Sequence, residues 1–213
     1  MKLNEIIITA ALRTAVGSLN RSLKNINAQT LGAEVISNLI RRSDFNNKDV
    51  DEIIMGQVLT GGAGQNPARQ AAMKSGIPKE KPAYIVNQVC GSGIRSIASG
   101  FQSIKSGDTN IVIAGGQENM SLAPHSIHLR DGKKLWDTEM IDTMIRDGLW
   151  DAFNGYHMGV TAENVAEKFQ VKRDEQDKFA LLSQEKAIKA QKENKFKQEI
   201  INFKIKSKKA EIN

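Results

Sequence analysis

The first 115 or so residues alternate continuous apolar runs with segments in which apolar residues recur every three or four positions. The continuous runs predict buried strands at residues 6–10, 53–58, 83–89 and 110–114. The recurring positions predict intervening helices. The clearest helical face is formed by Leu31, Val35, Ile36, Leu39 and Ile40. Because strands that alternate with helices require crossover connections, the pattern predicts an α/β fold with a largely parallel sheet covered by helices.

Two of these helices have recognisable ends. Asn66 followed by Pro67 predicts a helix start, since Asn can accept from a free backbone N–H and Pro fits the first turn. Gly76 predicts the end of that helix. The following helix is predicted to stop at Gly107.

The character of the chain changes after Gly116. Residues 117–156 lack a clear strand pattern, which indicates an excursion across a surface, a frequent location for binding sites. Helices are predicted at 161–169 and 174–194, followed by a strand with alternating apolar residues at 201–205.

Composition and charge exclude several classes of protein. Of 213 residues, 40% are hydrophobic and 25% are charged, which is typical of a globular domain, and no apolar run approaches the roughly 20 residues that span a bilayer. We see no targeting segment and expect a cytoplasmic protein without a membrane partner. The net charge of +6 comes largely from late lysines without interleaved aromatic residues, so we expect a solvated face and no nucleic acid partner.

The single cysteine, Cys90, lies where a predicted strand ends and a helix begins. A lone cysteine is usually a small buried hydrophobe, which is one interpretation. At a strand-to-helix corner, however, the side chain is pushed outward, and the helix N-terminus favours a thiolate. The other interpretation is therefore a nucleophile, with the backbone N–H groups of Cys90 and Gly91 available to stabilise an oxyanion.

Metal and nucleotide chemistry find little support. The three histidines, His125, His128 and His157, show no convincing metal-ligand spacing, and one cysteine cannot build a zinc site, so we expect no metal. His157 lies among glycines and apolar residues and is either part of a pocket wall or an ordinary histidine. The glycine-rich residues 61–64 lack the lysine of a P-loop.

Several longer motifs occur in an order that resembles one family. They are residues 13–17 (RTAVG), 64–72 (GQNPARQAA), 87–93 (NQVCGSG), 114–121 (AGGQENMS), 155–159 (GYHMG) and 161–166 (TAENVA). Through nearly its whole length the chain resembles the N-terminal half of thiolases, in particular the acetyl-CoA acetyltransferases. The resemblance implies a thiolase-like fold with a mixed, largely parallel sheet, divided into an N-terminal α/β domain (1–118) and part of the loop domain that covers CoA (119–213).

The resemblance also implies an activity. Cys90 would carry an acyl group as a thioester during the condensation of two acetyl-CoA molecules to acetoacetyl-CoA, and during the reverse thiolysis. His157, Met158 and Leu149 would line the substrate channel. No cofactor is implied, because coenzyme A thioesters are the substrates.

One departure from the family bears on activity. Thiolases are nearly twice this long, and their second half supplies an Asn-Glu-Ala-Phe, a Gly-His-Pro and a Cys-x-Gly-Gly-Gly motif, none of which occurs here. We therefore expect a complementing C-terminal half, or a homo-oligomer, as partner. The alternative is a catalytically inactive truncated fragment. A ketoacyl synthase is a weaker alternative, since the motifs at 114–121 and 155–159 favour thiolase.

Overall fold

The computed structural model describes residues 5–206 and 211–212. The first part of the chain forms alternating helices and strands. They are α1 (Ala28–Arg41), β1 (Glu52–Gly56), α2 (Pro67–Lys74), β2 (Ala83–Val86), α3 (Ser92–Ser106) and β3 (Val112–Gly116). β1 is the central strand and pairs in parallel with β2 on one side and β3 on the other. The predicted α/β fold with a parallel sheet is thus confirmed.

The two faces of the sheet are covered by different helices. Ile53 and Met55 of β1 lie in the buried core with residues of α1 and α2. Gly56 has the opposite parity along β1 and lies against the start of α3. Since fully burying an isoleucine contributes roughly 1.5–3 kcal/mol, the core shared with α1 and α2 stabilises the sheet substantially.

The predicted start of α2 is confirmed by its capping geometry. The Asn66 side chain accepts a hydrogen bond from Arg69 N at 3.1 Å, and Pro67 occupies the first helical position. The helix ends at Lys74, and Gly76 follows in the left-handed region with φ +84°. Asn66 Nδ2 also donates to Ala83 O at 2.8 Å, which ties the helix start to β2.

The second part of the chain has smaller elements. They are a 3-10 turn (Met120–Leu122), β4 (His125–Ser126), β5 (Ile141–Asp142), α4 (Thr143–Gly148), α5 (Met158–Lys168), α6 (Arg173–Lys192), β6 (Ile205–Lys206) and β7 (Glu211–Ile212). The two short strand pairs are antiparallel. Among the described residues, every helix falls short of the length and apolarity needed to cross a membrane.

The predicted strand at residues 6–10 is wrong. The described part of this segment pairs with no strand, and Ile7 and Ile8 are 69% and 77% exposed. A cavity of about 620 Å³ is lined by residues 6–14 on one side and by β3 on the other. An apolar run forms a strand only where a neighbouring edge accepts its hydrogen bonds, and here β3 lies across the cavity.

The predicted strand at 201–205 is also largely wrong, because only Ile205 of it belongs to a strand. Ile201 is buried, and its N–H donates to Arg13 O at 2.9 Å. Arg13 N in turn donates to Glu199 O at 2.8 Å. This segment therefore holds Arg13 through an isolated parallel bridge at Ile200 and through a salt bridge from Arg13 to Glu199 at 2.9 Å.

Candidate active site

Cys90 lies between the end of β2 and the start of α3, at the carboxyl edge of the parallel sheet. Its thiol is free and exposed, so the interpretation of Cys90 as a small buried residue is wrong. In open α/β sheets this edge is where ligands bind. The strand predicted to reach Val89 ends at Val86, because the chain turns over the next residues.

Three hydrogen bonds close this corner. The Ser92 hydroxyl accepts from Gln88 N at 2.8 Å and donates to Val89 O at 2.6 Å. Gly91 N donates to Gln88 O at 3.0 Å. The buried Ser92 therefore holds the residues on both sides of Cys90 in a tight turn.

Val89, directly before Cys90, adopts a conformation that is unusual for its type. Its φ of +48° lies in the left-handed region, which a β-branched side chain rarely adopts and which costs about 1–3 kcal/mol. The Asn87 side chain supports this conformation, because Asn87 Oδ1 accepts from Val89 N at 3.0 Å. Strained backbone conformations of this kind cluster at functional sites, so the strain at Val89 marks the exposed thiol as a candidate.

The start of α3 rests directly on β1. A Cβ atom added to Gly56 would lie 2.5 Å from Ser92 C and 2.7 Å from Gly93 N, so only glycine allows this approach. Ser96, one turn later and fully buried, donates from its hydroxyl to Gly115 O at 2.7 Å. The helix that carries the corner is thereby fixed to two strands.

A carboxylate at the same edge was not predicted as a site residue. Glu118 follows β3, and its oxygens accept from Val58 N at 2.8 Å and Leu59 N at 3.3 Å. Burial raises the pKa of Glu118 above its ordinary 4.5, and the two backbone hydrogen bonds oppose that shift. A charged residue two positions after the end of a strand was the signal in the sequence that could have identified it.

The three residues predicted to contact substrate lie together. Met158 N donates to Leu149 O at 2.8 Å, and Trp150 forms an antiparallel bridge with His157. His157 Nδ1 accepts from Gly159 N at 3.0 Å, so His157 also caps α5. Leu149 and His157 are half-buried, whereas Met158 is exposed.

Leu149, His157 and Met158 belong to the second part of the chain, and Gly148, the neighbour of Leu149, lies near the carboxyl edge of the sheet. A Cβ atom on Gly148 would lie 3.8 Å from Leu59 Cδ2, next to the residues that bind Glu118. No hydrogen bond between described residues joins Cys90 to Leu149, His157 or Met158, so separate elements hold the two groups. Over residues 5–206 and 211–212, no cluster of three metal-ligating side chains occurs.

Comparison with known proteins then shows the family. Residues 6–213 match the model of the thiolase N-terminal domain. The chain belongs to the thiolase family. It is 56% identical over 208 residues to an acetyl-CoA acetyltransferase of Rhizobium meliloti (strain 1021), covering 98% of this chain and 53% of the relative.

Other relatives agree with this alignment. The acetyl-CoA acetyltransferase of Shinella zoogloeoides is 56% identical over 206 residues, covering 97% of this chain and 53% of that protein. A probable acetyl-CoA acyltransferase of Staphylococcus aureus (strain COL) is 46% identical over 210 residues, covering 98% and 53%. This thiolase chain therefore spans about half the length of the curated relatives it matches and corresponds to their N-terminal half.

Proposed function

We propose that this thiolase chain supplies the nucleophilic half of an acetyl-CoA C-acetyltransferase, with Cys90 as the acyl carrier. The observation that carries the proposal is the exposed Cys90 thiol on a strained strand-to-helix corner, next to the N-terminus of α3. The printed names of the relatives support the substrate, because most of them are acetyl-CoA acetyltransferases.

The proposed chemistry has two stages. The Cys90 thiolate attacks the carbonyl carbon of acetyl-CoA, the bond from that carbon to the CoA sulfur breaks, and CoA leaves as its thiol after taking a proton. A second acetyl-CoA then loses an α-proton, and its α-carbon attacks the acetyl-Cys90 carbonyl to release acetoacetyl-CoA and the Cys90 thiolate. Because acetyl-Cys90 is a thioester like acetyl-CoA, the first stage exchanges one thioester for another and is close to energetically neutral.

The backbone at the corner allows a sharper proposal for the oxyanion. Of the two N–H groups predicted to stabilise it, that of Gly91 already donates to Gln88 O at 3.0 Å. We therefore assign the main role to the N–H of Cys90, with Gly91 contributing only if its bond to Gln88 opens. Donors of this kind act best when they are fixed before the reaction.

The group formed by Leu149, His157 and Met158 is proposed as one wall of the acyl-CoA channel. Its position beside Leu59 supports this role, because it brings the loop region to the carboxyl edge that also carries Cys90. In this proposal residues 1–118 are the N-terminal domain and residues 119–213 form part of the CoA-covering domain. Coenzyme A thioesters are the only small molecules required.

We further propose that a C-terminal thiolase half completes the enzyme, whether it is continuous with this chain or separate. The proton transfers need groups beyond the one cysteine that this sequence contains. The fold supports the same conclusion, because the outer edge of β3 has no strand partner among the described residues. An unpaired edge in a hydrophobic sheet is a ready site for strand addition.

The cavity beside β3 indicates how that half would dock. Its volume is about 620 Å³, and its lining includes the edge of β3, Leu31 and Val35 of α1, and Ile97 and Phe101 of α3. A single β-strand inserted here would pair with β3 and have both of its faces covered by apolar side chains. We propose that a strand of the C-terminal half occupies this position.

The exposed side of α3 supports the same partner. Ile94, Ile97 and Phe101 are 78%, 45% and 47% exposed and follow one another at helical spacing. Such a patch on an isolated chain favours association with a partner. A homo-oligomer and a cytoplasmic location remain predictions.

The proposal is tested by mixing the chain with the C-terminal half of an acetyl-CoA acetyltransferase, adding acetyl-CoA, and measuring the mass of the Cys90 peptide. We expect an acetyl adduct on Cys90, and thiolysis of acetoacetyl-CoA by the mixture but not by either half. The Cys90→Ser variant is the control and should show neither. An intact complex that never acquires the adduct would support the catalytically inactive fragment instead.

A further inference from the structure

A polar network crosses the carboxyl edge of the sheet in the order of the strands. It begins at Glu118 after β3, passes through Val58 and Leu59 after β1, and reaches Asn87 after β2. Because β1 lies between the other two strands, the network follows the sheet from one edge to the other. It ends at Val89, the residue before the nucleophile.

Glu118 is the only charged member of this network. Glu118 is half-buried, and desolvation by burial raises the pKa of its carboxyl. Two backbone N–H groups point at its oxygens, from Val58 at 2.8 Å and from Leu59 at 3.3 Å. Hydrogen bonds to a carboxylate are among the stronger ones, so Glu118 defines where the backbone of residues 58 and 59 lies.

Asn87 transmits that position to the corner. Its Nδ2 lies 3.5 Å from Val58 O, the longest link in the network, and its Oδ1 accepts from Val89 N at 3.0 Å. With both ends of the amide engaged, its orientation depends on the backbone at Val58. The left-handed Val89, with φ +48°, is held at its N–H by Asn87 and at its carbonyl by Ser92, and a strained residue persists only where its surroundings hold it.

We propose that Glu118 is a positioning residue for Cys90, acting through Val58, Asn87 and Val89. This inference rests on the role of Cys90 proposed above. The carboxylate holds the turn after β1, the turn orients the Asn87 amide, and the amide keeps the corner in the conformation that presents the thiol beside the N-terminus of α3.

Glu118 is not needed merely to join β3 to β1. The two strands already pair along their whole length. Beyond the strands, Gln117 Nε2 donates to Gln57 Oε1 at 2.9 Å, and Gln57 Nε2 donates to Leu59 O at 2.9 Å. The link through Glu118 differs from these because it binds Val58, whose carbonyl faces Asn87.

The experiment measures the rate of Cys90 alkylation by iodoacetamide, followed by mass spectrometry, in Glu118→Gln, Asn87→Ala and the double variant. Each single variant should lower the rate constant roughly 3- to 10-fold, as expected when one hydrogen bond that supports the reactive conformation is lost. Because both residues act through one network, the rate constant of the double variant should be at most about twofold lower than that of the slower single variant.

Asp51→Asn is the matched control. Asp51 is also a carboxylate that accepts from two backbone N–H groups, those of Asn110 at 2.8 Å and Ile111 at 3.2 Å, but it lies at the opposite end of the sheet. This variant should lower stability without changing the alkylation rate by more than about twofold. Circular dichroism checks that each variant is folded. If Glu118→Gln does not fold, Glu118→Asp takes its place in the comparison of single and double variants.

Two results would overturn the inference. One is a Glu118 variant that alkylates at the same rate as Asp51→Asn, and the other is a double variant whose effect is the product of the two single effects. Neither depends on acyl transfer. A failure of the positioning role is therefore distinct from a failure of Cys90 to take up acetyl from acetyl-CoA.

Discussion

Replacing Gly56 with alanine tests whether the close approach of α3 to β1 sets the position of Cys90. The added Cβ would lie 2.5 Å from Ser92 C, 2.6 Å from Ser92 O and 2.7 Å from Gly93 N. All three are backbone atoms in the first turn of α3, so no side chain can rotate away. Either the start of the helix or β1 must move.

The size of the effect follows from these distances. An ordinary contact of a Cβ atom begins at 3.4 Å, so relief requires a shift of about 1 Å. Overpacking of this kind costs about 1–3 kcal/mol, while the loss of glycine freedom in the unfolded chain returns about 0.4–1 kcal/mol. We expect a net destabilisation of about 1–2 kcal/mol, which lowers the melting temperature by roughly 2–8 °C for a domain of this size.

Urea denaturation and thermal melting measure this loss, and iodoacetamide alkylation reports whether the Cys90 corner has moved. Gly115→Ala is the matched control, because a Cβ on Gly115 of β3 meets nothing within 4 Å. It should leave stability unchanged or raise it by up to about 1 kcal/mol. If Gly56→Ala were as stable as Gly115→Ala, with unchanged alkylation, the contact would not position the helix.

Three further predictions concern other parts of the fold. Asn66→Ala should lower the free energy of unfolding by about 1 kcal/mol in urea, because it removes the cap on Arg69 N, and an unchanged midpoint would contradict this. The pKa of the Asp51 carboxyl is lowered below its ordinary 3.8, chiefly by the hydrogen bond from the backbone N–H of Asn110. The bonds from the Ile111 N–H and the Lys81 side chain add to this shift, and desolvation opposes it. The stabilisation by Asp51 is therefore complete above pH 3.8 and is lost as the pH falls further, so Asp51→Asn should flatten the acid limb of the stability curve. Phe101→Glu should reduce self-association of the chain and prevent complementation by a C-terminal half, measured by light scattering and thiolysis.

The parts of the fold that could be predicted are those that depend on local periodicity. The helix face of Leu31 and Ile36, the cap at Asn66 and the strand at Ile53 all lie where the apolar pattern placed them, because each element buries its own side chains against near neighbours. The position of Cys90 between a strand and a helix was predictable for the same reason.

The strand at residues 6–10 shows the limit of that reasoning. Its apolar run is as strong as that of β1, but a strand also needs a paired edge, and pairing is a property of distant residues. Here Ile7 and Ile8 lie across a cavity from β3 and stay exposed. The six-residue helix α4 was missed for another reason, since it is too short to show a helical period and is set by the Asp142 cap on Met144 N.

The geometry of the candidate site lay beyond periodicity altogether. The motif at 87–93 indicated a nucleophile, but the left-handed Val89 and the contact of Gly56 with Ser92 depend on atoms brought together by folding. Every contact described around the corner comes from residues 56–118, within the parallel sheet and its flanking helix. The Cys90 corner is therefore held in place by this half of the fold alone, whereas the open edge of β3 and the exposed face of α3 have no partner among the described residues. Positioning of the thiol and completion of the site are thus different physical problems, and the hydrogen bonds proposed to solve the first join residues at three strand ends that are distant in sequence.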